Sequence, residues 1–134
     1  MAVKIPTPSA RDYRHPNAKP YAERGGGKKG DQLPNFIGGV LNPGWVEWLM
    51  GWPVGWTSIE PLSPGAVVLW HGAGRDWWET DPSELEDGYR IPRTVEEKQA
   101  GRVSRIMALG NGQVPACVVL AHEVLDRWEV RHGA

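Results

Sequence analysis

The sequence predicts a mainly α-helical protein with long irregular segments and little β-structure. Three observations carry that prediction. The stretch from Leu41 to Trp56 is rich in tryptophan and bounded by helix start and stop signals. The stretch from Val114 to Arg131 repeats apolar residues at helical spacing. The first 40 residues are broken by Pro6, Pro8, Pro16, Pro20 and Pro34 and by Gly25-Gly26-Gly27, which rule out long helices there. The chain therefore divides into a basic, Pro/Gly-rich extended arm over residues 1–40 and one small helical domain over residues 41–134.

In the arm few apolar residues are available to bury, and much of it is expected to be poorly ordered without a partner. Asn42 then suits an N-cap, because its side-chain oxygen can accept from a free N–H of the first turn. Pro43 sits at the first helical position, where its missing N–H costs nothing. Gly51 can close the helix in the left-handed conformation, and Pro53 prevents its continuation. A helix over about 43–50 follows. Trp45, Trp48, Leu49 and Trp52 fall at i, i+3, i+4 and i+7 and line one face. Such a face packs first of all against its own protein. Eight tryptophans in 134 residues, four of them between positions 45 and 56, also fit rings that dock on a partner.

After a Pro-containing connection, Ala66 to Trp70 fits either a buried strand or a helical turn, and Asp81 to Gly88 reads as an acidic surface loop. Thr94 followed by Glu97 has the pattern of a capping box, predicting helix from about 95 to 109 with an interruption at Gly101. Val103, Ile106, Met107 and Leu109 are its apolar residues and Gly110 its C-cap. Pro115 opens the longest helix, to about residue 131. Val114, Val118, Ala121, Leu125 and Trp128 form its apolar stripe, with Glu123, Asp126, Arg127 and Glu129 opposite.

The net charge is −1, but it is unevenly spread. Residues 1–31 hold seven basic and three acidic residues, +4, whereas the remainder holds eight and thirteen, −5. A basic arm on an acidic body suggests contact with phosphate, and a solvated tail is the alternative. A single cysteine, Cys117, precludes an intrachain disulfide and is compatible with a reducing cytoplasm. The longest uninterrupted apolar run, Ala116 to Ala121, is too short to cross a bilayer, and the N-terminus lacks a signal-peptide core. No membrane partner is expected.

Most catalytic readings fail on spacing. His15, His71, His122 and His132 share no zinc-ligand pattern with one another or with Cys117, and no metal site is expected. His122-Glu123-Val124-Leu125-Asp126 ends in Asp where a zinc helix needs His. Gly25 to Lys29 lacks the leading glycine and the Ser/Thr of a phosphate loop. Cys117 lies on the apolar part of its helix and reads as a buried small hydrophobe. No catalytic constellation is visible.

Two segments resemble a known family. Leu41, Pro43, Leu49, Gly51 and Pro53 match in register the motif IX pattern of DNA cytosine-5 methyltransferases, with Trp52 in the aromatic place. The phrase from Leu41 to Thr57 resembles the phage-encoded variant of that motif. Arg102 to Pro115, with Gly110-Asn111, resembles motif X, although Gly112 stands where a serine is usual. Pro6 to Asp12 is similar to the region before motif IX in the phage subgroup. The family's cofactor loop, Pro-Cys nucleophile, Glu-Asn-Val and Gln-x-Arg-x-Arg segments have no counterpart. Cys117 follows Ala116 and lies after motif X, so it does not match the nucleophile.

The resemblance implies the C-terminal part of an α/β, Rossmann-like methyltransferase fold from a phage or prophage, working in the bacterial cytoplasm and inactive alone. It would contribute target-DNA recognition and one wall of the S-adenosylmethionine site to a separately encoded catalytic chain carrying motifs I to VIII. Asn111 and Gly112 are then the cofactor-side residues. Arg14, Arg24, Lys28 and Lys29 are the DNA-contacting residues. Trp45, Trp48 and Trp52 form the partner interface, and no catalytic residue resides in this chain. The alternatives are a non-catalytic binding protein, a decayed methyltransferase remnant, or a truncated gene whose product continues upstream.

Overall fold

The computed structural model describes residues 4–19, 21–25, 31–65, 77–86, 88–96 and 98–132. The α-helices bounded at both ends among them are α1 (Leu33–Ile37), α2 (Pro43–Leu49), α3 (Arg102–Asn111) and α4 (Pro115–His132). Short 3-10 turns occupy Tyr21–Arg24, Trp77–Glu79 and Pro82–Glu84. The described residues contain no β-strand, only an isolated antiparallel bridge between Leu41 and Thr94.

Helix α2 is the hub. Asn42 is extended at φ −82°, and its Oδ1 accepts from Gly44 N–H at 3.1 Å, the capping bond its side chain predicts. Its Nδ2 donates to the Pro92 carbonyl at 2.8 Å, tying the start of the helix to a segment 50 residues away. At the other end Gly51 takes φ +73°, and an added Cβ would lie 2.7 Å from the Trp77 ring, so backbone and packing both require glycine. Trp45, Val46 and Met50 of this segment join Leu33, Leu41, Ile106 and Leu109 in one buried cluster.

Two sequence expectations give way here. Helix α3 begins at Arg102, not near 95, because residues 94 and 95 are used by the bridge. Val95 N–H donates to Val40 O at 2.9 Å and Asn42 N–H donates to Arg93 O at 3.0 Å, which commits the backbone there to an extended pairing. Thr94 is therefore a bridge residue instead of an N-cap, and Glu97 lies outside the described residues. In α3 Arg102, Ile106 and Leu109 point inward at i, i+4 and i+7, while Val103 and Met107 are exposed.

The arm also packs. Asp12, Leu33 and Pro34 are buried, and α1 was not expected. Ser9 N–H and Oγ donate to the two Asp12 carboxylate oxygens at 2.7 and 2.9 Å, closing a turn. The Arg102 guanidinium donates to Tyr13 O at 2.6 Å. Gly110, expected as a C-cap, lies inside α3, and Gly112 takes the cap. A Cβ on Gly110 would come within 2.0 Å of Ser9 C and 2.1 Å of Ala10 N, so the arm's main chain crosses the helix directly over this glycine.

Helix α4 forms as predicted, but its stripe is not core. Val118, Leu125 and Trp128 are 38, 57 and 59% exposed, whereas Val114, just ahead of the helix, packs against the core cluster. Cys117 is likewise exposed, not buried. By length and composition Arg102–Arg131 could cross a membrane. It is, however, two helices broken between Asn111 and Pro115, and the second bears Glu123, Asp126, Arg127 and Glu129.

Candidate functional site

The segments resembling motif IX, motif X and the region before motif IX come together in one place. Residues 9 and 10 of the last cross α3 over Gly110, whereas the first two are joined at Glu47 of α2, which is fully buried. A buried carboxylate must be paired and hydrogen-bonded to persist. Glu47 Oε2 accepts from Gly55 N–H, and Oε1 accepts from Thr57 N–H at 2.9 Å and from the Thr57 hydroxyl. The Arg105 guanidinium of α3 completes the cage, 3.1 Å from Glu47 Oε1, while its Nε–H donates to Thr57 Oγ1 at 3.0 Å. One side chain thus folds the Gly51–Thr57 return loop against α2 and clamps both onto α3.

The loop carries Trp52 to the end of α3. Its indole N–H donates to Gln113 O at 3.0 Å, and its ring lies over Gly112. A Cβ on Gly112 would lie 3.3 Å from Ala108 O and Leu109 O and 3.4 Å from the Trp52 ring. A side chain here would be tight against those two carbonyls and in van der Waals contact with the indole. The Asn111 side chain is exposed and makes no hydrogen bond to a described residue. The two residues that the resemblance puts beside the cofactor therefore differ: Asn111 offers a free amide, and Gly112 offers only backbone.

On the other side of the return loop Trp52, Trp56, Ile59, Ser104 and Ala108 line an open groove of about 500 Å³ with Arg105. Trp52 and Trp56 are tilted rings with centroids 6.0 Å apart.

Of the three expected interface rings, Trp45 is corrected by its burial. It is wholly enclosed, 5.8 Å from the Trp48 ring, and its indole N–H donates to Asp81 Oδ1 at 3.0 Å. It is a core residue with no face left for a partner. Trp48 and Trp52 are partly exposed, and Trp48 anchors its N–H on Trp77 O at 3.1 Å.

Asp81 was not anticipated, since the acidic segment read as a surface loop. Burial pushes its carboxyl up, but hydrogen bonds from Ser83 and Trp45 and the nearby Arg93 charge outweigh this and hold it below the usual range. Arg93 lies 2.9 Å from its Oδ2. Asp12 behaves oppositely: burial raises it, and the Ser9 hydrogen bonds only partly offset that. In retrospect Asp81-Pro82-Ser83 carries a turn-capping signal, whereas nothing in the pattern distinguishes Glu47 from a solvated helix glutamate.

Of the four expected DNA-contacting residues, Arg14 and Arg24 lie among the described residues. Arg14 is exposed and 5.9 Å from the Tyr13 ring centroid. Arg24 lies 3.7 Å from Asp31 and donates to Lys19 O at 3.0 Å, so part of its charge is already answered. Lys28 and Lys29 lie outside the described residues, as do the Ala66–Trp70 run and His71. Among the described residues no three His, Cys, Asp or Glu side chains gather as a metal requires.

No family model, curated protein or solved structure matches this chain.

Proposed function

We propose that this chain supplies the motif IX–X part of a phage-type DNA cytosine-5 methyltransferase to a catalytic portion that carries the nucleophile. The observation that supports this reading is the Glu47–Arg105–Thr57 cage. It joins the segments that resemble motifs IX and X, through contacts neither segment could make alone.

In this reading Trp48 and Trp52 face the catalytic portion, together with Trp56, which is 48% exposed. Asn111 and the backbone at Gly112 line one side of the S-adenosylmethionine site. The free amide of Asn111 suits a polar contact to that molecule, and the Trp52–Gln113 hydrogen bond holds the turn in place. S-adenosylmethionine supplies an electrophilic methyl group. The cytosine is extruded from the duplex and attacked by a thiolate of the catalytic portion, because Cys117 follows Ala116 and lacks the family's Pro-Cys context. The arm's Arg14, Arg24, Lys28 and Lys29 contribute phosphate contacts, which position the duplex without reading its sequence.

The test is equilibrium dialysis of labelled S-adenosylmethionine against a catalytic chain bearing motifs I to VIII, with and without this chain. Adding this chain should tighten binding at least tenfold, and Asn111→Ala should remove much of that gain. Equal affinity in the two arms would overturn the proposal.

A further inference from the structure

Asn111 is the one asparagine of this chain that is followed by glycine; Asn17, Asn35 and Asn42 precede Ala18, Phe36 and Pro43. An Asn-Gly pair is chemically exposed in a way the others are not. The backbone nitrogen of the second residue can attack the side-chain Cγ of the first, and glycine has no Cβ to obstruct the approach. The Asn111 side chain is exposed and makes no hydrogen bond to a described residue, so its amide is open to this reaction.

The main chain is closed to it. Asn111 is the last residue of α3, and its helical backbone holds the Gly112 nitrogen away from Cγ. The Gly112 N–H donates to Leu109 O at 3.0 Å, which engages the proton that the reaction must remove. Trp52 shuts the turn from outside. Its ring packs over Gly112, and its indole N–H donates to Gln113 O at 3.0 Å, fastening the next residue as well. Trp52 is itself fixed, since its backbone N–H donates to Glu47 O at 2.8 Å and its ring centroid lies 6.0 Å from that of Trp56.

We propose that Asn111 is a deamidation site that the fold holds closed, with Trp52 as the latch. When the turn opens, the Gly112 nitrogen gives its proton to base and bonds to Asn111 Cγ. The bond from Cγ to the side-chain nitrogen breaks, and ammonia leaves. Water then adds at either carbonyl of the succinimide. Cleavage of the new bond leaves aspartate, and cleavage of the original peptide bond leaves isoaspartate, whose main chain runs through the former side chain. Both products put a carboxylate at the C-terminal end of α3, where the helix dipole disfavours negative charge. Isoaspartate also lengthens the main chain beneath the Trp52 ring, so modification loosens the turn that had prevented it. The inference does not rest on the proposed function, because it is read on this chain alone, without DNA, S-adenosylmethionine or a catalytic chain.

The experiment is incubation of the full chain in warm, mildly alkaline buffer, folded and in urea, with tandem mass spectrometry of the tryptic peptide Ile106–Arg127. The amide-to-acid mass gain at Asn111 gives the rate. The folded chain should react at least tenfold more slowly than the urea-unfolded chain. Trp52→Phe keeps a ring over Gly112 and removes the hydrogen bond to Gln113 O. It should speed the folded-state reaction about fivefold, the local opening that one lost hydrogen bond allows. Trp45→Phe is the control for general destabilisation, since Trp45 is buried and bonds to Asp81 instead of the turn. It should leave the rate near the parent's. Hydrogen exchange on the unsubstituted chain should show a protected Gly112 amide. Equal rates in the folded and unfolded chains overturn the proposal. So does a Trp52→Phe rate equal to the parent's, an acceleration by Trp45→Phe as large as that by Trp52→Phe, or an unprotected Gly112 amide.

Discussion

Replacing Gly110 by alanine sets two physical effects of opposite sign against each other. Gly110 lies inside α3, where helix propensity alone predicts a gain of about 1 kcal/mol. The crossing arm predicts the reverse. The new Cβ would stand 2.0, 2.1 and 2.4 Å from Ser9 C, Ala10 N and Ser9 O, whereas ordinary carbon contacts begin near 3.5 Å. All three atoms are main chain, so no rotamer can relieve the overlap, and the arm must retreat by about 1.5 Å. Such a retreat breaks the 2.6 Å hydrogen bond from Arg102 to Tyr13 O. Overpacking costs about 1–3 kcal/mol and a hydrogen bond from a charged donor about 1.5–3. Net of propensity, Gly110→Ala should destabilise the chain by about 2–5 kcal/mol. Urea denaturation followed by tryptophan fluorescence reads this directly, with Gly65→Ala as a control, since nothing lies within 4 Å of a Cβ there. A Gly110→Ala variant as stable as the parent, or more so, would refute the crossing.

Other perturbations follow from the same structure. Glu47→Ala should destabilise by about 3–5 kcal/mol, because it strands the Arg105 charge, and the Glu47→Ala/Arg105→Ala pair should cost less than the two singles combined in a double-mutant cycle. Trp45→Phe should cost about 1–3 kcal/mol in a denaturant melt, since it removes one donor from Asp81. Asp81, held low when folded, contributes stability that is fully present above its unfolded value near 3.8 and is lost as pH falls through its folded value. Asp81→Asn should therefore flatten the acid limb of the stability–pH curve. Asp12, held high, has the opposite sign, so stability from that group is present below 3.8 and is lost as pH rises through its folded value. Asp12→Asn should steepen the same acid limb.

The local elements were the legible part of the sequence. Asn42, Pro43 and Gly51 mark α2 because caps act within a few residues, and the stripe of α4 marks a helix whether or not anything covers it. Long-range contacts were not legible. Thr94 has the signature of an N-cap, yet pairing with Leu41, 53 positions away, overrides it. Gly110 looked like a helix end, although the true constraint is a backbone passing over it from residues 9 and 10. Glu47 is the strongest case. Its partners at 55, 57 and 105 become neighbours only once the return loop and α3 are in place, so its spacing alone reads as a surface residue. The same logic divides the tryptophans: periodicity placed Trp45, Trp48 and Trp52 on one face, and only the distal Asp81 shows that Trp45 is the one enclosed.

The central claim is that this chain completes a methyltransferase and is inert without its catalytic portion. Methyl transfer from labelled S-adenosylmethionine to cytosine in duplex DNA tests it directly, with this chain, the catalytic chain and their mixture assayed side by side. The account predicts incorporation in the mixture alone, with Cys117→Ser leaving it unchanged. Methyl transfer by this chain by itself, or an inactive mixture of two folded chains that bind each other, would contradict it.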